Sequence, residues 1–122
     1  MRKLFFDTYA LIETVAGNPN FLPLAKESTI ILTQLNLMEF YYQLSLAYGA
    51  KVAQGYLERY EELCVPFSTE TIMEAMDFRK ENKKRKLSYA DCIGYTVAKK
   101  SGALFLTGDK EFKDLPNVLF VK

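Results

Sequence analysis

Asp7, Glu39, Asp91 and Asp109 are the residues of this 122-residue chain whose type and placement suit chemistry. Asp7 directly follows the apolar run Leu4-Phe5-Phe6, and Asp109 follows Ala103 to Leu106 and the turn Thr107-Gly108. Short continuous apolar runs read as strands covered on both faces of a parallel sheet. In open α/β sheets the ligand crevice lies outside the carboxyl ends of the strands, where both aspartates fall. Glu39 comes one helical turn after a second, β-branched run, and Asp91 stands three residues after Ser88 at a helix start. The chain contains no histidine. Its absence excludes histidine bases, histidine metal ligands and Ser-His-Asp triads, and leaves carboxylates as the main groups for acid, base or ligand work. Several carboxylates at one crevice raise one another's pKa unless a cation is bound, and all-oxygen sites are those that Mg²⁺ and Mn²⁺ select.

The elements that must position these acids follow from periodicity and punctuation. Strands are expected at 4–6, 29–32, 64–67, 103–106 and 118–121, the third an edge because Pro66 lacks an N–H. Helices are expected at 8–15, 20–26, 36–48, 50–63 and 88–100, together with one capped by Ser68 or Thr69 that runs into Lys80, Lys83, Lys84, Arg85 and Lys86. Asn36 with Glu39 and Ser88 with Asp91 match capping boxes, which place both acids in first turns. A short helical turn follows Asp109 and stops at Pro116. Strands that alternate with helices imply an α/β fold, a three-layer α/β/α sandwich on a mostly parallel sheet of about five strands.

Size and composition fit that architecture. The length suits a single domain, 1–122, and apolar residues at 49% with charged residues at 25% mark a globular chain. A net charge of +1 means that any nucleic-acid contact must come from a local patch. Two such patches exist, Lys80 to Lys86 and the scattered Lys99, Lys100, Lys110 and Lys113, each also readable as a solvated face. Cys64 and Cys92 have no metal-type spacing and sit in apolar contexts, so reduced thiols in a cytoplasmic protein are expected. Asp7 interrupts the first apolar run too early for a signal peptide, and no run is long enough to span a membrane.

Each acid alone has a structural explanation. Glu39 and Asp91 suit capping boxes, Asp7 suits a helix cap and Asp109 suits a turn. Their joint placement at strand ends points instead to one crevice. Leu4-Phe5-Phe6-Asp7, the lone Glu39 after the second strand, Leu87-Ser88-Tyr89-Ala90-Asp91 and Leu106-Thr107-Gly108-Asp109-Lys110-Glu111-Phe112 together resemble the PIN domain in order and spacing. The resemblance covers essentially the whole chain and is strongest to VapC-like toxins of toxin–antitoxin pairs.

That resemblance implies a sheet order of 3-2-1-4-5. It implies that Asp7, Glu39, Asp91 and Asp109 hold Mg²⁺ or Mn²⁺, and that Thr107 orients the attacking water. The implied activity is metal-dependent endoribonuclease cleavage of RNA phosphodiester bonds, with single-stranded RNA as the substrate class. It further implies a homodimer formed through the helix around 37–48 and a cognate antitoxin protein as partner. With Tyr 8 and Phe 9 in the chain, and Phe40, Tyr41, Tyr42 and Tyr48 spread around that helix, some aromatics must face outward. Two alternatives stay open, a catalytically idle PIN-fold binding module and a receiver-like phosphoacceptor domain. The second expects paired acids after the first strand, where Asp7 stands alone. A haloacid-dehalogenase-like phosphatase fits no better, because it needs an acid at the position of Tyr9.

Overall fold

The computed structural model describes all 122 residues. Its centre is β1 (Arg2–Phe6), which pairs in parallel with β2 (Ser28–Ile31) on one side and β3 (Leu104–Thr107) on the other. β4 (Val118–Phe120) extends β3, giving the order β2-β1-β3-β4. Leu4, Phe5 and Phe6 are all fully buried although neighbouring strand residues point to opposite faces. Both faces of β1 are therefore covered, as a three-layer α/β/α sandwich requires.

The expected fifth strand at 64–67 is corrected to a single parallel bridge between Leu32 and Cys64, and the sheet has four strands. Leu32 donates to Leu63 O and Val65 donates to Leu32 O, after which Pro66 has no N–H with which to continue. The expected order survives with its outermost member shortened.

Around the sheet lie α1 (Thr8–Val15), α2 (Leu22–Glu27), α3 (Gln34–Tyr48), α4 (Ala50–Glu61), α5 (Thr69–Glu81) and α6 (Tyr89–Lys100). α6 packs on β1 and β3, α5 packs on α6, and α3 joins α1 to α4. α6 reaches the sheet closely because Gly94 has no side chain. A Cβ there would meet the Phe5 ring at 2.8 Å, where Phe5 stacks on Phe105 with ring centres 5.5 Å apart.

One helix start differs from expectation. Thr33, not Asn36, caps α3, and Asn36 is its reciprocal partner at the third position of the helix. Glu39 therefore lies a full turn deeper than the first turn and caps nothing. Both cysteines are free thiols, Cys92 buried and Cys64 half-buried. No helix is long and apolar enough to cross a membrane.

Candidate functional site

The carboxyl ends of β1 and β3 are neighbours. Phe6 pairs with Leu106, and the Asp7 N–H carries the ladder one step further to Leu106 O at 3.2 Å. Asp7 and the Thr107-Gly108-Asp109 turn thus leave the sheet side by side. Asp7 is the N-cap of α1, its Oδ1 accepting from Ala10 N at 2.8 Å. Asp109 accepts from Glu111 N at 3.0 Å through Oδ1, and its own N–H donates to the buried Thr107 hydroxyl at 3.0 Å. Gly108 is required between them, because a Cβ there would fall 2.2 Å from the Tyr9 ring and 2.6 Å from Val121 O.

The remaining two acids come from helices. Asp91 closes a capping box with Ser88, its Oδ2 accepting from Ser88 N at 2.9 Å. Glu39 is held across the fold, its Oε1 accepting the Thr8 hydroxyl at 2.8 Å. Each of the four carboxylates is thus oriented by at least one hydrogen bond. All four line one cleft of about 310 Å³, together with Thr8, Tyr9, Ile12, Glu13, Gln43 and Ser88. Five of these ten residues are acids and none is a cation, so the cleft concentrates negative charge in an otherwise nearly neutral protein.

Burial and repulsion register on the two inner acids. Burial pushes the Asp7 carboxyl up to about 7, against the pull of the Thr107 hydroxyl and the Ala10 N–H, while the charges of Asp91 and Asp109 add to the rise. Burial likewise pushes Asp91 up to about 6, opposed by Ser88 and reinforced by Glu39 and Asp109. A carboxylate serving only as a helix cap has its pKa lowered by the N–H groups it accepts from. Asp7 and Asp91 cap helices and are still destabilised as anions, a combination that recurs at functional sites.

Five carboxylates and the hydroxyls of Thr8, Tyr9 and Ser88, without imidazole or thiol donors, fit a hard divalent cation by the chemistry of the donor set. As they stand, no three Asp, Glu or Cys side chains converge closely enough to hold a metal ion. The acids face one space, and their side chains have not closed around a point within it. Glu13, Gln43, Tyr9 and Thr8 also face the cleft. The sequence signal for Glu13 and Gln43 is their spacing, four residues beyond Tyr9 and Glu39 on the same helices.

A PIN domain family model matches residues 4–118. No curated protein matches the sequence. Among solved structures, the chain is similar to Mycobacterium tuberculosis VapC20, described as a Sarcin-Ricin loop cleaving toxin, with a TM-score of 0.77 at 17% identity over 98% of both chains. It is similar to a toxin–antitoxin complex from Klebsiella pneumoniae, with a TM-score of 0.76 at 18% identity over 95% of both chains. VapBC2 from Rickettsia felis, bound to a DNA fragment from its promoter, gives 0.73 at 22% identity over 98% of this chain and 97% of that one.

Proposed function

Because the chain belongs to the PIN domain family, we propose that it is a Mg²⁺- or Mn²⁺-dependent endoribonuclease of the cytoplasm, the toxin of a toxin–antitoxin pair, working as one domain over 1–122. The observation that carries this reading is a cleft at adjacent strand ends, lined by no Lys or Arg, whose five carboxylates include two that folding holds above the usual carboxylate range. Asp7, Glu39, Asp91 and Asp109 are the residues proposed to bind the metal. Bound there, it would neutralise a phosphate oxygen and make a water more acidic, so no histidine base is needed. The fully buried Thr107 hydroxyl accepts from Asp109 N and bonds to Asp7, and we assign it the orientation of the attacking water.

Partners follow from surface and likeness together. On α3, Met38, Tyr42 and Leu46 form an i, i+4, i+8 ladder that is mostly exposed, while Phe40 is fully buried. We assign this ladder to a homodimer contact. An antitoxin protein is the proposed inhibitor, in line with the solved toxin–antitoxin complexes of similar fold.

The test is cleavage of total cellular RNA by purified protein in Mn²⁺, abolished by EDTA and reduced by orders of magnitude in Asp7→Asn. The unclosed arrangement of the acids favours one competing reading, an idle PIN-fold binding module. RNA left uncut across several metals would support that reading.

A further inference from the structure

A second depression lies beside the acid cleft and has the opposite character. It is a groove of about 640 Å³ along α5 and the loop leading to α6, within the range of about 300–1,000 Å³ that holds small ligands. Arg79, Lys80, Lys83 and Arg85 line it with a single acid, Asp77, and Met73, Met76 and Ile72 give it an apolar floor. Tyr89 also lines it. The residue is 64% exposed and the Arg79 guanidinium lies 4.5 Å from its ring centre, so one ring face carries a cation while most of the residue stays accessible. Arg79 is fixed there by donating to Leu87 O at 3.3 Å. Ser88 lines the acid cleft and Tyr89 lines the basic groove, so adjacent residues, three and two positions before Asp91, line the two depressions.

We propose that this groove is the subsite for a nucleotide flanking the bond to be cut, with its base stacked on Tyr89 and its phosphates on Lys80 and Lys83. The proposal rests on the nuclease reading above. Charge complementarity and the stacking face together select single-stranded nucleic acid, because a carboxylate-rich peptide would use the cations and leave the ring idle. Three of the four lysines of the other patch are already engaged. Lys100 pairs with Glu74 at 2.9 Å and with Glu70 at 3.6 Å, Lys99 lies over Tyr95 and Lys113 over Phe120. Arg85 is likewise committed to Asp114 and Glu111 O, whereas Lys80 has only a solvent-exposed contact with Asp77.

The experiment is fluorescence anisotropy in EDTA with a labelled 2′-O-methyl oligouridine of about 12 nucleotides, a length that covers one such site. Wild-type protein is expected to bind. Tyr89→Ala should weaken binding about 5- to 100-fold at an unchanged melting temperature, and Tyr89→Phe should stay within about 2-fold, as stacking requires. Lys80→Gln/Lys83→Gln should lower the salt slope by about 1.4, two phosphates at about 0.7 each. Failure of the wild type to bind, equal binding by Tyr89→Ala and the double variant, or competition by polyglutamate with the same dependence on Tyr89 would overturn the proposal. Cleavage is measured separately in Mn²⁺. Binding with this dependence but without cleavage supports the subsite and removes the nuclease, whereas cleavage with an unchanged KM in Tyr89→Ala does the reverse.

Discussion

The Thr8 hydroxyl donates to Glu39 Oε1 at 2.8 Å, joining residues 31 apart and fixing the first turn of α1 to α3. Without that bond nothing in the structure holds Glu39 toward Asp7, because Glu39 has no capping role in its own helix. Thr8→Val keeps the shape and removes the donor. It should lower RNA cleavage in Mn²⁺ about 10- to 100-fold, the usual effect of releasing a ligand's orienting partner. Thr8→Ser should keep most activity. Initial rates of the two variants at matched stability check this, and equal rates would show that Glu39 needs no such anchor.

Electrostatic cost at the site should appear as a pH-dependent stability of the metal-free protein. An acid whose pKa is raised by folding holds its proton more tightly in the native state, so stability falls as pH rises between the unfolded and folded values. For Asp7 that window runs from 3.8 to about 7, and for Asp91 from 3.8 to about 6. Their favourable contribution is thus fully present below the lower limit and lost by pH 8. Asp7→Asn keeps the helix cap and removes the charge. In urea unfolding with EDTA, it should be more stable than wild type at pH 8 by up to about 4 kcal/mol, and little different near pH 4. A variant less stable at pH 8 would contradict the assignment.

Gly108→Ala should disturb both strand-end acids without touching either. The added Cβ would collide with the Tyr9 ring and with Val121 O, so the turn must shift at a cost of about 1–3 kcal/mol. Thermal unfolding should show that loss, and cleavage should fall with it because Thr107 and Asp109 flank the shifted residue. A variant with wild-type stability would mean that Tyr9 simply moves aside.

The exposed ladder on α3 predicts a dimer. Sedimentation at about 10 µM, well above the Kd of a stable apolar interface, should give twice the monomer mass. Met38→Lys/Leu46→Lys should give the monomer with its fold intact. A wild type that is monomeric under these conditions would assign the ladder to another partner.

Much of the site is legible in the sequence, and the reasons are local. Asp7 and Asp109 stand at the ends of continuous apolar runs, and Ser88 with Asp91 forms the capping box that its spacing predicts. Tertiary context decides the rest. Thr33 and Asn36 are both good caps, and Thr33 prevails because it comes directly after the last bridged residue of the β2 segment, Leu32. Pro66 reduces the expected fifth strand to one bridge, which the edge reading anticipates only in direction. Glu13 and Gln43 could not be assigned from spacing alone, because their place in the cleft depends on how α1 packs against α3. The basic groove needs the same knowledge of α5 against α6, since Lys80 and Tyr89 meet only across that pair.

Asp7, Glu39, Asp91 and Asp109 are proposed to bind together a divalent cation that the folded state alone can hold. Thermal unfolding of wild type and Asp7→Asn/Asp91→Asn, each with and without Mn²⁺, tests it most directly. A metal bound only by the native state at about 100 times its Kd adds about 2.7 kcal/mol. For a domain of this size that raises the melting temperature by roughly 10 °C. Such a rise is expected for the wild type and almost none for the double variant, which should already start higher in EDTA. Equal shifts in both proteins, or no shift in either at millimolar Mn²⁺, would contradict it.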